Sequence, residues 1–296
     1  MQIYFICNNV AKCVSKFFWN DINSLKRTKR LFFNGSTTKK RSTLFIRSPV
    51  RSEIVIFALK TIMTVREKIA QFVIHPVTII SVISISFALS VATSNIGTLF
   101  GFAIVLITLW ALKWKWSFFG FQKNPFLPSL LKAVFYTLII IVVNDFLFQP
   151  LVEYYYGFTD LSSFEGLKGN LFNYLIFILF IWVVAAFGEE FLYRGYMTKR
   201  LAIIFGDNRK AWLIAIIVSS IVFGFAHTYQ GTSGVISTFF VALIFGAIFY
   251  KNKQNLWIGV LTHGFYDMFG ITLIFLDKES VITNWALENI FFFLSS

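Results

Sequence analysis

The sequence predicts an all-α fold, a polytopic transmembrane bundle of about seven to eight helices. Three observations predict it. Of the 296 residues, 57% are hydrophobic and 14% charged, with a mean hydropathy of +0.70, whereas about a quarter of a soluble domain is charged. Apolar stretches of about 20 residues, enough to cross roughly 30 Å of hydrocarbon, recur along the chain. They do not alternate as barrel strands would, and backbone in lipid must satisfy its own hydrogen bonds, which leaves helices.

The elements follow in order. Residues 1–62 read as a basic N-terminal extension, poorly ordered or lying on the membrane surface, with 63–296 as the transmembrane domain. Residues 1–70 hold 14 of the 27 Lys and Arg against three acids (Asp21, Glu53 and Glu67), so most of the net charge of +13 sits there. A basic segment beside apolar spans marks the cytoplasmic side and contacts anionic lipid, and no nucleic-acid partner is expected. The extension lacks the apolar core and cleavage site of a secretory signal. Met63 opens a second basic flank and is a candidate start. The two cysteines, Cys7 and Cys13, lie outside every apolar segment and say nothing of an oxidising compartment.

Spans are expected near 75–93, 96–112, 130–148, 171–187, 211–227, 234–250 and 256–276. An aromatic end, 285–294, reads as an eighth span or an interfacial helix. Lys113, Lys115 and Lys123 follow the second span, Lys199, Arg200, Arg209 and Lys210 the fourth, and Lys251 and Lys253 the sixth. By the positive-inside rule these loops are cytoplasmic, and with them the N-terminus.

An ionisable side chain inside a membrane helix costs a few kcal/mol or more, so each one found there is a functional candidate. Glu189 and Glu190 close an apolar stretch, with Arg194 one helical turn beyond Glu190. An Arg beside Glu190 can neutralise it and leave Glu189, turned by about 100°, as a base. The chain has three histidines. His75 opens the first span and is read as interfacial. His227 closes the fifth, one turn after Phe223, and His263 precedes Asp267 by one turn in the seventh. At about 1.5 Å per residue, Glu189 lies roughly 15 Å above Lys199, His227 about 24 Å above Ala211 and His263 about 15 Å above Lys253. Their depths then agree to roughly 9 Å, provided the fourth helix continues to Lys199 and kinks or protrudes near Gly188.

These residues resemble the CPBP membrane proteases, also called the Abi family. That family includes the CAAX prenyl-protein endopeptidases and bacterial bacteriocin-processing and immunity proteins. Its EExxxR motif is similar to Glu189-Glu190-Phe191-Leu192-Tyr193-Arg194, followed by the Gly195-Tyr196 of the bacterial branch. Its FxxxH motif corresponds to Phe223–His227 and its HxxxN/D motif to His263–Asp267. The resemblance covers about 171–276. The prenyl-protein proteases carry Asn where this chain has Asp267, and an Asp lacks the amide N–H that an oxyanion would take.

The resemblance implies an intramembrane glutamic endopeptidase, without metal or cofactor, in a prokaryotic cytoplasmic membrane. The peptide or protein substrate would be apolar, lipid-modified or membrane-embedded. Glu189, assisted by His227, would deprotonate a water; His263, held by Asp267, would stabilise the oxyanion or protonate the leaving amine. Arg194 would organise Glu190, and Phe223 would wall the site. Three alternatives use the same residues. A zinc-dependent variant would take Glu189, His227 and His263 as ligands, although the HExxH spacing is absent. A scaffold or bacteriocin-immunity protein would bind without cleaving. A proton-coupled transporter is disfavoured, because no repeated half with a matching broken helix is found.

Overall fold

A computed structural model describes residues 64–93 and 95–294. The basic extension over 1–62, its expected lipid contacts and the candidate start at Met63 lie outside the described residues. Internal contacts divide the chain into Met1–Lys68 and Ile69–Ser296. In the first unit, the Thr64 hydroxyl accepts from the Glu67 amide at 3.3 Å, and the Glu67 carboxylate accepts from the Thr64 amide at 3.1 Å. This reciprocal cap opens helix α1 (Val65–Val73).

Among its described residues the second unit is built of helices: α2 (Pro76–Thr93), α3 (Asn95–Ala111), α4 (Phe126–Tyr156), α5 (Leu171–Ile204), α6 (Arg209–Phe225), α7 (Gly231–Lys251), α8 (Leu256–Phe275) and α9 (Val281–Asn289). Helices α2, α4, α5, α8, and α7 with the turn before it, are long and apolar enough to cross a membrane. At 17 residues each, α3 and α6 reach about 25 Å. The protein is an integral membrane helical bundle.

Of the two readings of the C-terminal aromatic stretch, an eighth span or an interfacial helix, the structure excludes the span. The stretch forms the nine-residue α9 and a turn, Phe292–Leu294, too short to cross. The fourth helix continues past Gly188 and through Lys199, as the matching depths require, and forms α5; its Ile181–Thr198 stretch is wound with i→i+5 hydrogen bonds. That winding fits more residues into each turn and so shortens a helix too long for one upright crossing. None of Leu171–Phe180 is buried, whereas every residue from Glu190 to Thr198 is. One half of α5 faces lipid and the other is the centre of the bundle.

Sequence explains the ends and the packing. The side chains of Asn170, Asn208 and Asn255 accept from the first free amides of α5, α6 and α8. On α4, Ser129, Ala133, Thr137, Ile140 and Asn144 form an inward stripe at three- and four-residue spacing. Leu127, Leu131, Phe135 and Leu138 face outward to lipid. Two glycines set the approach of α8 to α5. A Cβ at Gly259 would stand 2.8 Å from Glu190 Oε2, and one at Gly264 would collide with the Trp182 ring.

Candidate active site

Glu189, Glu190 and Arg194 come from the i→i+5 segment of α5, His227 from the turn just past the end of α6, and His263 and Asp267 from the middle of α8. The innermost pair is buried outright: Glu190 is 0% and Arg194 2% exposed. Arg194 Nη1 lies 2.9 Å from Glu190 Oε1, and Arg194 Nη2 donates to the Ala242 carbonyl at 3.3 Å. The guanidinium is sandwiched by rings, 4.8 Å from the centroid of Phe223 and 5.1 Å from that of Phe245. Aromatic faces are favourable partners for a cation held out of water. The EExxxR spacing thus yields one neutralised internal pair.

His263 connects this pair to the cavity. Its Nδ1 is 3.1 Å from Glu190 Oε1, while its Nε2 is 3.3 Å from Asp267 Oδ2 and 3.9 Å from Glu189 Oε2. Phe245 stacks on the imidazole with a centroid separation of 4.8 Å. The Asp267 contact is the i, i+4 neighbour read from sequence. The Glu190 contact is not, because it joins residues 73 positions apart on helices whose approach depends on Gly259.

His227 is held differently. Its Nδ1 is 2.9 Å from the Phe223 carbonyl one turn back. A carbonyl only accepts, so Nδ1 carries the proton and the neutral ring offers its lone pair at Nε2. Phe223 packs against both histidines, its centroid 4.7 Å from His227 and 6.3 Å from His263. One imidazole therefore faces carboxylates at both nitrogens, while the other keeps one nitrogen for a proton.

All four residues read as catalytic, Glu189, His227, His263 and Asp267, line one cavity of about 590 Å³ with Phe223. Glu190 and Arg194 stand behind it. His75 takes no part; its Nδ1 accepts from the Val77 amide at the start of α2. Among the described residues, no three His, Cys, Asp or Glu side chains are arranged to hold a metal ion.

The cavity has a second polar wall that the sequence reading passed over. Asn144 and Asp145 lie in another i→i+5 segment, Ile141–Phe148 of α4. The Tyr266 hydroxyl donates to Asp145 Oδ1 at 2.6 Å, and Asn144 Nδ2 donates to the same oxygen at 2.8 Å. Gln149, Glu153, Thr159 and Thr283 continue the network toward the end of α4. The signal was present: an Asn-Asp pair in the middle of an apolar span is as costly there as the glutamates are.

No curated protein and no solved structure matches the chain. The model of the family described as type II CAAX prenyl endopeptidase Rce1-like matches residues 171–269, which hold all three motifs and every residue of the His263 cluster. Over that segment the chain is similar to that family.

Proposed function

We propose that the protein is an intramembrane endopeptidase of the glutamic type. The observation that carries this reading is the convergence of Glu189, His227, His263 and Asp267 on one cavity inside an apolar bundle, with Glu190 and Arg194 paired behind them. The family likeness of 171–269 supports it.

In the proposed reaction a water in the cavity gives one proton to Glu189 as its oxygen bonds to the scissile carbonyl carbon. The carbonyl oxygen becomes an oxyanion. His263, donating toward the cavity and held by Asp267 and Glu190, stabilises that charge. His227, whose Nε2 lone pair is free, assists the base and relays the proton to the leaving nitrogen as the C–N bond breaks. The products are a carboxyl and an amine, and Glu189 is regenerated. Arg194 keeps Glu190 from competing as a base.

Phe164, Phe177, Phe180 and Phe269 line the same cavity, which suits an apolar or lipid-modified chain end. Phe119, Phe121, Phe187 and Phe191 pack into a separate aromatic cluster. The positive-inside bias supports a cytoplasmic side for the Lys199–Arg200 end of α5 and for the N-terminus.

The test uses the full chain purified in detergent, on fluorogenic peptides with apolar ends, with and without excess chelator. Cleavage by wild type in chelator, lost in Glu189→Ala and His263→Ala proteins that melt as wild type does, is the expected result. Cleavage that chelator abolishes and zinc restores would move the reading to the zinc-dependent variant. Folded wild type that cleaves none of them, while binding them, would favour the scaffold reading.

A further inference from the structure

The cavity wall formed by Asn144, Asp145 and Tyr266 has an unusual imbalance. Among the described residues, Asp145 takes hydrogen bonds only on Oδ1, from Tyr266 and Asn144, both neutral. Among the described residues no Lys, Arg or His lies within ion-pair distance of it. Asn144 is 1% exposed and lines the cavity, yet its Oδ1 has no hydrogen-bond partner among the described residues. Its Nδ2 faces Asp145 Oδ1 at 2.8 Å and Gln149 Oε1 at 3.3 Å, two acceptors, which fixes the amide orientation and leaves Oδ1 as the unused atom. On α7, Ser237 lines the same cavity, and its buried hydroxyl also has no partner among the described residues.

Buried polar groups are normally paired, and an acceptor left over costs its full desolvation. Here the unused groups on α4 are an amide oxygen and a carboxylate oxygen of two residues that line a space large enough for a peptide side chain. Their complement is a group that only donates and carries positive charge. Lys and Arg are the side chains that fit that description. An acidic or purely apolar side chain would leave the acceptors unmet.

We propose that Asn144, Asp145 and Tyr266 form a substrate subsite that takes a basic side chain, Lys or Arg, of the peptide. Tyr266 directly precedes Asp267 on α8, so the subsite flanks the reacting centre and its occupant belongs to a residue near the cleaved bond. The Tyr266 hydroxyl positions the carboxylate, and the ammonium or guanidinium takes the free Asp145 oxygen together with Asn144 Oδ1. The inference rests on the peptidase reading for its substrate class, but its test reads binding.

The test uses the full chain carrying Glu189→Ala, in detergent, with pools of fluorescein-labelled nonapeptides that fix Lys, Arg, acetyl-lysine or norleucine at one position. Anisotropy should give at least tenfold tighter binding for the Lys and Arg pools than for norleucine, with acetyl-lysine no better than norleucine. Adding Asp145→Asn should bring the ratio below twofold. Adding Tyr266→Phe, which removes a donor and keeps the carboxylate, should leave it above fivefold. Equal affinity for all pools, no binding of any, or a preference that survives Asp145→Asn would overturn the subsite. The acetyl-lysine pool keeps the test decisive even where Asp145→Asn does not fold. The same pools, incubated with protein that retains Glu189, report cleavage separately. A charge preference without cleavage would leave the subsite standing and remove the peptidase reading.

Discussion

Helices α4 and α5 both cross the bundle, both contain an i→i+5 segment, and both present carboxylates to one cavity. They solve the same problem with opposite chemistry. On α5 the inner carboxylate, Glu190, is matched by the Arg194 guanidinium and the His263 ring, and Gly259 admits α8 to close the group. On α4, among the described residues, Asp145 is matched only by a phenol and an amide, and part of its capacity to accept is left unused at the cavity wall. Internal compensation suits a group that must hold a geometry. Incomplete compensation suits a group that waits for a partner.

Breaking the α5 side should have the largest effects. Glu189→Ala and His263→Ala should each lower cleavage by about 10²–10⁴, with membrane levels unchanged on immunoblot. Glu190→Ala leaves the Arg194 cation buried and unpaired, a loss of about 3–5 kcal/mol. Both the melting temperature in detergent and the protein level should fall, and Arg194→Ala should do the same.

Smaller changes sharpen the contrast. In Gly259→Ala the new methyl meets Glu190 Oε2, and overpacking of this kind costs about 1–3 kcal/mol. Activity should fall with stability there, because Glu190 would be pushed from His263. Asp267→Asn keeps an oxygen that can accept from His263 Nε2. Cleavage should stay within about tenfold of wild type, the rate equivalent of roughly 1.4 kcal/mol, and a larger loss would mean that the charge itself is used.

The smallest effect belongs outside the spans. Lys168 Nζ lies 2.6 Å from Glu279, 2.9 Å from Asp277 and 3.3 Å from Glu165, joining the loop before α5 to the turn after α8. Its hydrogen bond to Glu279, then that to Asp277, holds its pKa well above the usual lysine value. A raised lysine pKa contributes stability below the unfolded value and loses it only at higher pH. Lys168→Met should therefore lower the melting temperature slightly and equally from pH 6 to 9, with the difference shrinking only above pH ~10.4. A pH-dependent difference within that window would contradict the pairing.

The contrast between the two helices also explains what could be read from the sequence. The α5 cluster is legible because charge follows an apolar run directly and because His263 and Asp267 repeat the one-turn spacing. Asn144 and Asp145 carry the same kind of signal, but the pair stands apart from any histidine and is contained in a stretch that otherwise reads as plain lipid-facing helix. Tyr266 could not be linked to it, since their contact spans 121 residues. The Glu190–His263 contact was hidden for the same reason. Helix ends were misjudged where a helix outlasts its apolar run, as α4 does through Gln149–Tyr156 and α5 through Lys199–Ile204. The i→i+5 winding leaves no mark in hydropathy, because it depends on what the neighbouring helices allow.

The most direct test of the central claim is a quantitative comparison of peptide termini in membranes from cells expressing wild type or Glu189→Ala at matched levels. It assumes no substrate. A set of new termini present only with wild type is the predicted result, with Lys or Arg enriched close to the cut. Identical termini in the two membranes, together with a deletion phenotype that Glu189→Ala rescues, would contradict catalysis and leave a membrane scaffold in its place.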